Sequence, residues 1–178
     1  VRTNLEYIPG EAGRGKVVLV TSYRPNEGKT FCSVNLTAIL AKAGKKVLLL
    51  ELDLHKPKVS TGLGMTSSVG LSTVLVGKAN WRDVVMPTHF ENFDVILSGP
   101  TPPNASELIL SKHLEELFRE AALIYDYVLV DCPPSLGLLT INALTAADSV
   151  LVPIQCEYYA LEGVSQLMRT VDLVRRHL

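Results

Sequence analysis

The sequence predicts a three-layer α/β/α domain with a mostly parallel central sheet. Short β-rich runs alternate with stretches long enough to form crossover helices, which is typical of parallel sheets. The runs are rich in Leu and Val without polar alternation, as expected for strands that are buried on both faces. In addition, Glu51, Asp53 and Asp131 lie at the ends of predicted strands. Such folds bind ligands beyond the carboxyl ends of their strands, so these acids mark the expected site.

Five strands and five helices follow from these patterns. The strands are expected at residues 16–21, 46–51, 93–97, 127–131 and 149–153. The helices are expected near residues 29–43, 71–76, 106–124, 138–146 and 161–177. With 178 residues, of which 47% are apolar, the chain fits a single domain over residues 1–178.

Composition excludes some classes of protein. A formal net charge of −1 gives no global basic field, so binding to nucleic acid or to an anionic membrane would need a local patch. Cys32, Cys132 and Cys156 are widely spaced in apolar surroundings and predict reduced thiols rather than a disulfide or metal framework. The apolar runs are far shorter than the ~20 residues of a membrane-spanning helix, and no secretory signal is visible. We therefore expect a cytoplasmic protein.

A phosphate-binding motif lies between the first predicted strand and the first predicted helix. Residues 21–30 read Thr-Ser-Tyr-Arg-Pro-Asn-Glu-Gly-Lys-Thr. Gly28 provides an amide at the positive end of a helix, Lys29 an ammonium for the β/γ oxygens, and Thr30 a hydroxyl for Mg²⁺. Tyr23 occupies the place of the first glycine of the usual motif. The strand-turn-helix context nevertheless favours a P-loop NTPase over an ordinary solvated helix start.

The loop itself has turn chemistry. Pro25 presets φ, and Asn26 is one of the few non-glycine residues that tolerate a positive φ. A nucleotide in this loop would contact the whole run of residues from its bend to the first helical turn. These predicted contacts are Arg24, Pro25, Asn26, Glu27, Gly28, Lys29, Thr30 and Phe31.

Acidic residues complete the predicted site. Asp131 ends an apolar strand, as in a Walker B strand that holds Mg²⁺. An aspartate at a strand end is by itself more often a turn or cap residue, but the P-loop upstream favours the metal role. Glu51 and Asp53 alternate along an extended chain, so both carboxylates are expected on one side, where Mg²⁺ would relieve their repulsion. The alternative is a solvated strand end neutralised by Lys56 and Lys58. The predicted metal ligands are Thr30, Glu51, Asp53 and Asp131, and the predicted catalytic residues are Lys29, Asp53 and Asp131, with Asp53 orienting the nucleophile.

Together these segments resemble the deviant Walker A ATPases. Segments 2–5, 21–30, 51–57 and 102–108 are similar to the kinase domains of bacterial tyrosine kinases of polysaccharide export, so residues 1–130 look kinase-like. Segments 131–140 and 155–163 are similar to partition ATPases of the ParA/Soj and MinD type, as is 61–64, so residues 131–178 look partition-like. The resemblance implies ATP and Mg²⁺ as cofactors.

Three functions are compatible with this resemblance. The main prediction is a tyrosine kinase-like phosphotransferase, which Arg24 favours because partition ATPases carry a signature lysine there. One alternative is an ATPase in which ATP gates dimerisation; the other is a hybrid or engineered scaffold that binds nucleotide without turnover. The resemblance implies that family elements at both ends are truncated. It also implies a homodimer or ring and, for a kinase, a membrane-protein activator that would bring the protein to the inner face of the membrane. No motif for direct contact with nucleic acid or membrane is visible.

Overall fold

A mostly parallel six-stranded sheet forms the centre of the molecule. The computed structural model describes residue 5 and residues 13–101, 112–134, 137–154 and 160–177. In chain order the strands are β1 (Lys16–Val20), β2 (Val47–Glu51), β3 (Met86–Pro87), β4 (Phe93–Ile96), β5 (Tyr127–Asp131) and β6 (Ser149–Leu151). They are arranged β3-β4-β2-β5-β1-β6, and only the β3–β4 pair is antiparallel.

Helices cover both faces of this sheet. They are α1 (Lys29–Lys42), α2 (Val59–Leu63), α3 (Leu71–Leu75), α4 (Lys112–Ala121), α5 (Leu138–Thr145) and α6 (Ala160–His177), with a 3-10 helix at Trp81–Val84. Leu36 and Leu40 of α1 pack on one face of the sheet, and α3, α4 and α5 pack on the other. No helix in these described ranges combines the length and apolar character that a bilayer crossing requires.

The strands are apolar on both sides because each contributes to two cores. In β1, Val17 and Leu19 belong to the core under α3, α4 and α5, whereas Val18 belongs to the core under α1. The same alternation places Leu48 and Leu49 of β2 in opposite cores. This double burial explains the absence of polar alternation and confirms the predicted three-layer α/β/α fold.

The register aligns the carboxyl ends of the three central strands. Val20 of β1 and Glu51 of β2 both pair with Asp131 of β5. Backbone hydrogen bonds continue past the strands, from Cys132 N–H to the Val20 carbonyl at 3.0 Å and from Leu52 N–H to the Asp131 carbonyl at 2.9 Å. The loops that leave β1, β2 and β5 therefore start from one fixed edge.

The elements differ from the sequence prediction at several points, among them the unpredicted 3-10 helix at Trp81–Val84 and strand β6, which ends at Leu151 rather than at residue 153. The two-residue strand β3 and the five-residue helix α2 were not predicted, since elements this short carry no periodic signal. Helix α4 ends at Ala121, three residues before the predicted end, because residues 122–124 form a turn. Residues 102–111, which include the predicted start of this helix, lie outside the described residues, as does Cys156.

Candidate nucleotide-binding site

The loop between β1 and α1 has the backbone of a phosphate-binding turn. Asn26 and Gly28 both have positive φ, at 64° and 86°. A side chain at Gly28 would meet nothing within 4 Å, so the left-handed backbone rather than lack of space favours glycine there. The first N–H groups of α1 follow directly and lack partners within the helix, as at every helix start. The predicted turn at Asn26 is therefore present, and it leads into the positive end of a 14-residue helix.

Lys29 lies inside this loop with only 8% of its surface exposed. Its Nζ donates a hydrogen bond to Ser22 Oγ at 3.0 Å, and Ser22 Oγ donates to the Arg24 carbonyl at 2.7 Å. Burial lowers the pKa of Lys29 below its usual range, and the carboxylates of Asp131 and Asp53 oppose this shift. The loop thus holds an ammonium that is poorly solvated and faces acids, an arrangement suited to an incoming phosphate. Ser22 was not predicted as part of the site.

Thr30 and Asp131 are brought together although 101 positions separate them. Thr30 Oγ1 donates to Asp131 Oδ2 at 2.7 Å, and Ser33 Oγ donates to Asp131 Oδ1 at 3.1 Å. Burial raises the pKa of Asp131 to about 6, although the two hydrogen bonds lower it. Ser33 was also not predicted, but it lies one helical turn after Thr30, so the helical period could have identified it.

The chemistry of these donors fits Mg²⁺. A hydroxyl and a buried carboxylate are hard oxygen ligands, and Mg²⁺ in nucleotide sites is held by one or two such groups together with water and phosphate oxygens. Within the described ranges, no group of three or more His, Cys, Asp or Glu side chains could hold a metal ion. The protein therefore offers part of a metal shell that phosphate and water would complete.

Glu51 and Asp53 do not share one environment, contrary to the expectation from their spacing. Glu51 is fully buried, and its Oε1 and Oε2 accept hydrogen bonds from the N–H groups of Val59 at 2.6 Å and Ser98 at 3.1 Å. Because both oxygens already accept from backbone amides, Glu51 is less suited than Thr30 and Asp131 to bind a metal, and its role as a metal ligand stays a prediction. Asp53 is partly exposed, and its Oδ1 accepts from the N–H groups of residues 55 and 56 at 3.2 and 2.9 Å.

The other predicted nucleotide contacts are more exposed than Lys29. Arg24, Pro25 and Asn26 are exposed, and Phe31 is 72% exposed. The Glu27 carboxylate accepts a hydrogen bond from Arg24 N–H at 3.0 Å and so closes the loop on itself. An added Cβ at Gly163 of α6 would lie 2.5 Å from the Tyr23 ring, so this ring packs directly against the helix backbone. Tyr23, which stands where the usual motif has its first glycine, therefore packs the loop against helix α6.

Comparisons with known proteins agree with this geometry. The AAA domain family matches residues 15–178. The chain is 46% identical over 176 residues to the sporulation initiation inhibitor protein Soj of Bacillus subtilis, which covers 92% of this chain and 68% of Soj. It is 41% identical over 154 residues to the tyrosine-protein kinase YwqD of the same organism, which covers 85% of this chain and 65% of YwqD. The chain therefore spans about two thirds of the length of both relatives.

The fold is likewise shared with a solved kinase domain. The kinase domain of Escherichia coli tyrosine kinase ETK matches with a TM-score of 0.88 and 30% identity, covering 97% of this chain and 68% of that one. The predicted resemblance to both groups is confirmed, and neither match is confined to one part of the sequence, because each relative covers at least 85% of the chain. With a family match from residue 15 onward and Soj and YwqD as relatives, the chain belongs to the AAA domain family of P-loop ATPases.

Proposed function

We propose that this domain binds Mg·ATP at the loop between β1 and α1 and hydrolyses it as a nucleotide-gated switch of the partition-ATPase type. The observation that carries the proposal is the contact of Thr30 with Asp131 at 2.7 Å beside the buried ammonium of Lys29. Polyphosphate binding needs a cation, a metal-binding hydroxyl and a carboxylate in one place, and these three groups meet that need.

The residues of the chain would act mainly by positioning and by neutralising charge. Lys29 would exchange its hydrogen bond to Ser22 for the β- and γ-phosphate oxygens. Thr30 and Asp131 would hold Mg²⁺, which would help neutralise the charge of the phosphates. Asp53 would orient the attacking water through Oδ2, since the two backbone amides bind Oδ1.

The relatives favour the ATP-gated switch over the tyrosine kinase. The sequence placed a tyrosine kinase first and an ATP-gated switch second. The identity to Soj is 46% over 92% of the chain, against 41% over 85% for YwqD, so the relatives favour the switch. Phosphoryl transfer to tyrosine remains the second candidate, which YwqD and the ETK kinase domain support.

Nucleotide binding is tested first, because every enzymatic reading needs it. We expect Lys29→Ala to weaken binding of a fluorescent ATP analogue by about a hundredfold, because several charge-assisted hydrogen bonds to phosphate are lost. Lys42→Ala is the matched control, since Lys42 is exposed at the opposite end of the same helix. Equal affinities of Lys29→Ala and the unaltered protein would overturn the proposed site.

Turnover and assembly separate the remaining alternatives. If the domain is a switch, the unaltered protein should release phosphate from ATP. The Asp53→Ala variant, in which hydrolysis should be blocked, should form a dimer in analytical ultracentrifugation when it is saturated with ATP. Persistent monomers in that experiment would contradict the switch. Transfer of radiolabel from γ-labelled ATP to a tyrosine peptide would instead support the kinase. Binding without phosphate release or label transfer would leave a nucleotide-binding scaffold.

A further inference from the structure

A second lysine reaches the phosphate-binding loop from a different part of the chain. Lys58 lies at the end of the segment 52–58, which connects β2 to α2. Its Nζ donates a hydrogen bond to Asn26 Oδ1 at 2.9 Å, and this is the loop residue with a φ of 64°. The segment 52–58 is therefore tied to the bend of the loop by a cation.

The backbone beside Lys58 is firmly placed. The N–H of the next residue, Val59, donates to Glu51 Oε1 at 2.6 Å, and Glu51 is fully buried at the end of β2. The other oxygen of Glu51 accepts from Ser98 N–H after β4. Lys58 itself is exposed, so its flexible four-carbon side chain can move while its backbone stays in place.

Two ammonium groups approach this loop from different parts of the chain. Lys29 Nζ donates to Ser22 Oγ at 3.0 Å and Lys58 Nζ donates to Asn26 Oδ1 at 2.9 Å, and Ser22 and Asn26 both belong to this loop. Two ammonium groups that face one loop repel each other, and a phosphate between them would turn this repulsion into two attractions.

We propose that Lys58 is a second phosphate-binding lysine, whose ammonium leaves Asn26 to bind the terminal phosphate of a bound triphosphate. The inference rests on the proposed function, because it concerns the same nucleotide. With a triphosphate bound, Lys58 would connect the segment 52–58 to the terminal phosphate. With a diphosphate bound, Lys58 would keep its hydrogen bond to Asn26. Lys58 would thereby make this segment sensitive to the γ-phosphate.

The test compares a slowly hydrolysed fluorescent ATP analogue with the matching ADP analogue. We expect Lys58→Met to weaken triphosphate binding by about tenfold, the effect of about one charge-assisted hydrogen bond, and diphosphate binding by less than about twofold. Lys58→Arg should restore most of the triphosphate affinity, since it keeps the charge. The matched control is Lys56→Met, because Lys56 is an exposed lysine of the same segment that uses its backbone N–H to bind Asp53.

Each outcome bears on one of the two proposals. An unchanged triphosphate affinity in Lys58→Met, an equal loss for both nucleotides, or an equal effect of Lys56→Met would overturn the role of Lys58 while leaving the proposed function intact. If the unaltered protein bound neither nucleotide, the proposed function would fail, and this inference with it. A selective loss of triphosphate binding that Lys58→Arg restores would support the inference.

Discussion

Replacement of Asp131 by asparagine should stabilise the nucleotide-free protein at neutral pH. Asp131 is 2% exposed, and burial raises its pKa from 3.8 to about 6. At about 1.4 kcal/mol per pKa unit, the charged carboxylate therefore costs the folded protein about 3 kcal/mol at pH 7.5. Asparagine removes the charge but makes weaker hydrogen bonds to Thr30 and Ser33, at a cost of about 1 kcal/mol. The net expectation for Asp131→Asn is a gain of about 2 kcal/mol.

The stability gain in Asp131→Asn should depend on pH, and the direction of this dependence follows from the raised pKa of Asp131. The folded protein binds the Asp131 proton more tightly than the unfolded chain, so the contribution of this group to stability is complete below pH 3.8 and falls as the pH rises to about 6. The gain in Asp131→Asn should therefore be present at pH 7.5 and absent near pH 4. Urea unfolding of both proteins at several pH values, with a chelator to exclude divalent cations, measures it. A variant that is less stable than the unaltered protein at pH 7.5, or a difference that does not change with pH, would refute the reasoning.

Two further predictions concern the supports of the site. Glu51→Gln should destabilise the protein by about 2 kcal/mol in urea unfolding, because an NH₂ group would replace an oxygen that accepts from the Val59 or Ser98 N–H. The Mg²⁺ dependence of ATP binding should not change, and a large change would support Glu51 as a metal ligand. Gly70→Ala should cost about 3 kcal/mol or more, because its Cβ would lie 2.4 Å from the Leu97 carbonyl oxygen, a backbone atom that has little freedom to move. Gly62→Ala is the matched control: it meets nothing within 4 Å in a helix and should stabilise the protein by about 0.5 to 1 kcal/mol in the same assay, so equal losses in both variants would contradict the steric explanation.

The sequence predicts best the features that depend on local pattern. All five predicted strands are present, because each is a short segment rich in aliphatic and β-branched residues between turn-forming segments. The meeting of Thr30 and Asp131 also follows from the sequence, since parallel strands align their carboxyl ends at one edge. Strand β3 escaped prediction because it has only two residues, one of them a proline.

The partners of Glu51 could not be predicted for a different reason. They are backbone amides of residues 59 and 98, and a backbone amide is present whatever the side chain at that position. Spacing alone therefore suggested a metal for a carboxylate that joins β2, α2 and the end of β4. Ser22 escaped for a related reason, because its contact with Lys29 depends on how the loop folds back.

The three acids at the sheet edge explain how events at the phosphates could reach the rest of the domain. Asp131 is buried against α1, so a cation placed there changes the cost of a charge inside the core. Asp53 holds the backbone of the segment 52–58 in a turn, and Glu51 anchors the end of that segment to the sheet. The ends of the segment are thus fixed by carboxylates of the sheet edge, while the Lys58 side chain carries its contact with the loop. Movement of that one side chain is therefore the smallest change by which this segment could respond to the nucleotide. Lys58→Met should accordingly keep its diphosphate binding while losing most of its preference for the triphosphate.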